Sequence, residues 1–148
     1  DQQPLWKGIQ KGIVDCVATD HAPHTVSEKM KPYWEAPSGM TGVETMIALL
    51  ADAVQEERLD WKDIERLWSQ NPQHIFHFKT SNCFTVINPK QKWHVQNEQL
   101  FSKCRWTPFN EWVLQGKTEL TIVNGEVVFE NGIVFENRRG VGKIVECH

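Results

Sequence analysis

Six residues near the start of the chain, Ile13-Val14-Asp15-Cys16-Val17-Ala18, make the strongest structural demand in the sequence. The run is short, apolar and rich in β-branched side chains, which suits a strand buried in a parallel sheet. Left without neighbours, such a strand exposes unpaired main-chain groups along its edges and apolar side chains on its faces. It runs into Thr19-Asp20-His21-Ala22-Pro23-His24, so polar, proton-carrying groups crowd just beyond its end. In parallel α/β folds function gathers at that place, because loops at the carboxyl ends of strands leave a cleft above a rigid sheet.

The remaining sequence sets bounds on what surrounds this run. A chain of 148 residues can bury about 70% of the surface its unfolded form exposes, enough for one modest core. With 40% hydrophobic and 24% charged residues and a mean hydropathy of -0.48, the composition is that of an ordinary globular protein. No apolar run approaches the roughly 20 residues needed to cross a bilayer. The first residues lack the basic and apolar regions of a secretory signal, so a cytoplasmic location is expected. Cys16, Cys83, Cys104 and Cys147 are too scattered for a structural zinc site or redox dithiol and read as reduced thiols. A net charge of -3 with only short basic clusters excludes nucleic acid as an expected partner. The seven tryptophans form no stripe or repeat and read as core and surface anchors.

Two parts are expected, residues 1–79 and residues 80–148. In the first, Leu5 to Gly12 reads as the end of a helix capped by Gly12. Pro32, Pro37 and Gly39 mark a long loop up to Met40. Thr41-Gly-Val-Glu44 reads as a capping box ahead of a helix through Met46–Val54. Asp60 caps a second helix, and Asn71-Pro72 starts a further turn to about Phe76. In the second part Cys83–Ile87 is strand-like, Asn88-Pro89 turns the chain, and Trp93–Val95 forms another short strand. Asn124-Gly125 and Asn131-Gly132 predict type I′ turns in a three-stranded meander that finishes near Phe135, followed by a polar tail.

Taken by itself, an aspartate after a strand is most often a cap or turn former, and His24 a solvated loop histidine. The wider segment says more. Val17-Ala18-Thr19-Asp20-His21-Ala22-Pro23-His24-Thr25, Glu28-Lys29, Ala36-Pro37-Ser38-Gly39-Met40 and Gly42-Val43-Glu44-Thr45 resemble, in order and spacing, the last barrel strand and following loop of class I dihydroorotases. Asn71-Pro72 with Ile75-Phe76, Ser102-Lys103-Cys104 with Trp106, Pro108 and Phe109, and Thr121–Gly125 resemble later stretches of that family. The likeness covers nearly the whole chain and is most specific from Thr19 to Thr45.

The resemblance implies an α/β fold: the C-terminal part of an amidohydrolase-type (β/α)8 barrel followed by part of a small β-sandwich. It implies a cyclic amide hydrolase of pyrimidine biosynthesis acting on dihydroorotate or carbamoyl aspartate, with zinc or another divalent metal in a dinuclear site. Asp20 matches the carboxylate that binds metal and acts as general base. His24, Ser38 and Gly39 match the substrate-contacting positions. A homo-oligomer or an aspartate transcarbamoylase partner is a further implication. His21 adjoins Asp20 but leaves a strand on the opposite side and is assigned no ligand role. His74 and His77 lie three apart without a visible third ligand and read as polar groups at a helix end.

The sequence also departs from the family. It contains no His-x-His pair, and a full barrel takes about 250 residues, so the expectation is an incomplete piece that is inactive alone. Between Lys79 and Cys83 one sandwich strand is expected to be missing. The alternatives are a non-catalytic dihydroorotase-like scaffold and another cyclic amidohydrolase, an allantoinase or hydantoinase. Residues 1–148 expressed alone are predicted to be poorly soluble and to aggregate, because an isolated last strand exposes both edge and face. Sedimentation velocity checks this, and a monodisperse 17.2 kDa monomer that melts cooperatively contradicts it.

Overall fold

The computed structural model describes residues 2–79 and 82–145. Helix α1 (Gln2–Gln10) ends where Ile13 N–H donates to Gly8 O at 2.9 Å and Gly12 N–H to Ile9 O at 3.0 Å, with Gly12 at φ +70°. These are the two reverse bonds of a Schellman cap, so Gly12 stops the helix as the sequence predicts.

The run Ile13–Ala18 is a correction: it belongs to no sheet. A parallel strand exists only through a partner's ladder, and among the described residues the one parallel bridge nearby joins His21 to Met40. Helical residues take over the main-chain groups instead. Val17 N–H donates to Leu67 O at 3.3 Å, Arg66 Nη1 to Val14 O at 3.3 Å, and Asn71 Nδ2 to Asp15 O at 2.6 Å.

Those partners come from a continuous helical stretch. It starts at Asp60, whose carboxylate accepts from Lys62 N at 2.7 Å and Asp63 N at 3.0 Å, while Asp63 accepts from Asp60 N at 3.1 Å. The capping residue is thus the expected one. Helix α4 (Trp61–Glu65) passes through a π-helical turn (Arg66–Gln70) into α5 (Asn71–Ile75), which carries Pro72 in its first turn. A short α2 (Val26–Lys29) lies in the loop before them, and α3 (Met46–Gln55) forms the centre of the molecule. The capping box expected at Thr41 and Glu44 does not form. Thr45 occupies the N-cap without a side-chain capping bond, its hydroxyl donating to Gly42 O instead, while Thr41 and Glu44 are engaged with residues about sixty positions downstream.

Among the described residues the strands form one antiparallel four-stranded sheet in the order β1 (Phe84–His94), β2 (Val113–Val123), β3 (Glu126–Glu130), β4 (Ile133–Val134). The Asn-Gly turns are found as expected: Asn124 and Gly125 lie at φ +51° and +85°, Asn131 and Gly132 at +47° and +86°. Asn88-Pro89 does not turn the chain. β1 runs straight through it, and register breaks between Asn88 and Lys92 absorb the proline. An edge strand tolerates this, because a proline nitrogen there forfeits no ladder bond. Cys147 and the Thr80-Ser81 part of the expected deletion lie outside the described residues.

α3 packs on both of its sides. Leu50 and Ala53 bury against Leu59, Ile64 and the inner faces of Trp6 and Ile9, while Ala48 buries with Val95 and Leu114 of the sheet region. Ala51, fully buried, meets Gly116 of β2; a Cβ on Gly116 would stand 2.4 Å from the Ala51 Cβ. Gly116 also sits at φ +115°, where L side chains are strained.

Much apolar surface remains open. The accessible area is 10582 Å², against about 7,800 Å² for a compact monomer of this mass. Ile13, Met30, Tyr33 and Trp34 are all largely exposed. Replacing Gly116 by valine is expected to cost about 1–3 kcal/mol by overpacking alone. Urea denaturation of the protein measures this, and an unchanged midpoint contradicts the close approach.

Candidate active site

The loop after residue 20 is closed at its base and braced across its middle. Ala22 N–H donates to Met40 O at 2.8 Å, beside the bridge of His21 with Met40. Within the loop, α2 begins with a capping box: Thr25 N–H donates to Glu28 Oε2 at 2.6 Å, Thr25 Oγ1 to the same oxygen at 2.7 Å, and Glu28 N–H to Thr25 Oγ1 at 3.3 Å. The two bonds from Thr25 hold the Glu28 carboxyl below the usual carboxylate range, with smaller help from His24 and Lys31. The folded value is depressed, so this cap is intact at neutral pH and is lost only as pH falls through that lowered value.

Lys29, at the end of α2, spans the loop. Its ammonium donates to Pro37 O at 2.6 Å and Gly39 O at 2.9 Å. Gly39 needs to be glycine for two reasons: φ is +85°, and a Cβ would stand 2.6 Å from the Ala22 Cβ. Beyond the loop, His21 Nδ1 accepts from Gly42 N–H at 3.2 Å, which makes His21 a tie between the two arms of the loop.

Asp20 lies at φ +44°, a conformation that aspartate tolerates better than most residues. It is exposed, and among the described residues its carboxylate has no hydrogen-bond or ion-pair partner. His24 is half-buried. Its N–H donates to Ala22 O at 2.9 Å and its carbonyl accepts from the indole N–H of Trp106 at 2.6 Å. Ser38 and Gly39 are exposed on the same loop. A small cleft nearby, lined by His21, Thr41, Glu44, Ser102 and Trp106, encloses roughly 10 Å³, room for one water at most, and Asp20 is not part of its wall.

The segment around Ser102 and Trp106, family-like in sequence but given no role at the site there, packs against this loop. Glu44 accepts from Phe101 N at 2.9 Å and Ser102 N at 2.7 Å; Thr41 Oγ1 donates to Trp106 O. Asn97 and Asn110 stiffen the segment from inside, with Thr107 N donating to Asn97 Oδ1 at 2.9 Å and Asn97 N to Asn110 Oδ1 at 2.9 Å. No periodicity could have revealed these partners, since they join residues that are far apart in the chain. Among the described residues no three His, Cys, Asp or Glu side chains come together as metal donors. His74 and His77 form only an edge-on ring pair, with centroids 6.4 Å apart.

No family model matches the chain. Solved structures and curated proteins do. The D-hydantoinase (dihydropyrimidinase) of a Thermus species superposes with a TM-score of 0.84 at 20% identity, covering 91% of this chain and 32% of that one. The L-hydantoinase (dihydropyrimidinase) of Arthrobacter aurescens gives 0.82 at 25% identity, over 88% and 32%. The inactive dihydroorotase-like domain of the Chaetomium thermophilum CAD-like multifunctional protein gives 0.72 at 23%, over 91% and 37%. The fold is therefore that of a piece of a cyclic amidohydrolase.

Sequence narrows this further. The dihydroorotase of Pyrococcus abyssi is 34% identical over 147 residues, 95% of this chain and 35% of its own length. The multifunctional protein CAD of Squalus acanthias is 36% identical over 135 residues, 90% of this chain and 6% of its own. The chain is thus related to the dihydroorotases, and it spans about a third of the length of the curated dihydroorotases it matches. Replacing Lys29 by methionine, which keeps the stem but not the charge, is expected to speed amide exchange across residues 36–40. Hydrogen exchange read by mass spectrometry checks it, and unaltered protection there contradicts the brace.

Proposed function

We propose that these residues supply the general-base carboxylate and the substrate loop of a dihydroorotase, in which water opens the cyclic amide of dihydroorotate to carbamoyl aspartate and the reverse reaction closes it. The observation that carries this reading is Asp20: a free carboxylate next to a braced loop, in a sequence about one-third identical to dihydroorotases over nearly its whole length. Residues 1–79 would then form the end of a (β/α)8 barrel and residues 80–148 part of a small β-sandwich.

Each residue has a definite task in this scheme. Asp20 accepts the proton of the attacking water and then delivers it to the departing ring nitrogen as the carbon–nitrogen bond breaks. His24, whose imidazole makes no hydrogen bond among the described residues, donates to the substrate carboxylate. Ser38 and the main chain of Gly39 face the same ligand from the loop, where the absent side chain permits close approach.

A divalent metal, zinc by family resemblance, fits these residues only in part. Asp20 is a suitable oxygen donor, but no described cluster completes a site, so the other donors come from outside these residues. When bound, such an ion acidifies the attacking water and polarises the amide carbonyl. The likeness to the CAD multifunctional proteins favours a setting within a larger enzyme assembly.

In the intact protein, Asp20→Ala is expected to abolish dihydroorotate turnover, while His24→Ala raises KM with a smaller effect on kcat. Steady-state assays in both directions measure this. Hydrolysis of hydantoin or allantoin with dihydroorotate left untouched would sink the substrate assignment, and normal turnover by Asp20→Ala would sink the proton-transfer role.

A further inference from the structure

Within the dihydroorotase reading, the proposed reacting and binding groups all lie between Asp20 and Gly39. The indole of Trp106 nevertheless reaches this loop from 82 positions downstream, donating to the carbonyl of His24 at 2.6 Å. We propose that Trp106 is a positioning residue: its N–H fixes the main chain of His24 and so sets the aim of the imidazole at the substrate. This rests on the assignment of His24 as a substrate contact.

Three features support the role. First, the main chain of His24 is held on both sides, its N–H by Ala22 O at 2.9 Å and its carbonyl by the indole, while its side chain stays free to bind. Pro23 between them locks its own φ and stiffens the same turn. A residue that must orient a ligand benefits from this combination, because little conformational entropy is left to lose on binding.

Second, the indole is itself rigidly placed. The Trp106 carbonyl accepts from Thr41 Oγ1, the Thr107 hydroxyl donates back to Thr41 O at 3.4 Å, and Thr41 and Thr107 are both buried. A few residues upstream, the Glu44 carboxylate fixes the N–H groups of Phe101 and Ser102. Bonds to an ionised acceptor are about twice as strong as neutral ones, so the segment cannot drift without breaking them.

Third, Lys29 ties only the far arm of the loop, at Pro37 and Gly39. Trp106 is the downstream side chain that secures the near arm at His24 among the described residues. Its loss therefore releases the histidine without undoing the brace around Ser38 and Gly39.

The test is Trp106→Phe in the full-length protein, which keeps an aromatic ring and removes the donor. Amide exchange over His24–Glu28 should accelerate, and KM for dihydroorotate should rise about three- to tenfold, the scale of one hydrogen bond, with kcat within about twofold. Thr41→Val, which removes the hydroxyl that holds the Trp106 carbonyl, should give the same pattern more weakly, and it decides the matter if the first variant does not fold. Unchanged exchange at His24–Glu28 overturns the proposal, as does a fall in kcat at constant KM. Should the parent protein fail to act on dihydroorotate at all, the dihydroorotase reading fails, and the exchange measurement still judges the contact on its own.

Discussion

The contact of Ala51 with Gly116 sets how closely α3 can approach β2, and the placement of almost everything else follows from that distance. A helix that touches a sheet backbone through an alanine and a glycine lies lower on the sheet than one spaced by larger side chains. That brings Ala48, Leu114 and Val95 into one buried cluster and leaves the opposite side of α3 to Leu59, Ile64 and Trp6. Because α3 is buried on two sides, the helices and the sheet share a single support. The residues just before it, Thr41 to Thr45, are in turn positioned for contacts with both.

Those residues couple the C-terminal half of the chain to the loop beyond Asp20. The coupling is polar and directional, made by one carboxylate, two threonine hydroxyls and an indole, whereas the core contacts are apolar and tolerant of small shifts. Directional bonds fix a loop's geometry in a way that burial alone does not. The cost is that buried Thr41 and Thr107 must keep their partners, since an unpaired polar group in such a place is expensive. Among the described residues no buried side-chain nitrogen or oxygen lacks one.

Local chemistry was legible in the sequence wherever a residue's role depends on its immediate neighbours. Gly12, Asp60, Asn124-Gly125 and Asn131-Gly132 behave as their types dictate, because a cap or a tight turn is decided within four residues. Thr41 and Glu44 carried the same kind of local signal and were misread, since a carboxylate that can accept two main-chain N–H groups from Phe101 and Ser102 gains more there than from one at its own helix. Asn88-Pro89 was misread for a related reason: a proline, which has no N–H, interrupts a strand only where the ladder needs a donor at that position. Ile13–Ala18 has a strand's composition but lacks a partner ladder, and composition cannot supply one. At the site, Asp20, His24, Ser38 and Gly39 came from family likeness, while Lys29 and Trp106 belong to matched stretches whose contacts became visible only once the chain was folded.

The π-helical turn at Arg66–Gln70 has a phase as well as a shape. A widened turn inserts one residue beyond the α repeat, and one residue corresponds to about 100° of rotation about the axis. Asn71 follows directly after it and is the residue that grips the Asp15 carbonyl. Were the same residues to close into regular α geometry, the extra residue would no longer be absorbed and Asn71 would swing away from its target. The backbone leading to Asp20 would then lose an anchor, so the width of this one turn carries a contact made well upstream of it.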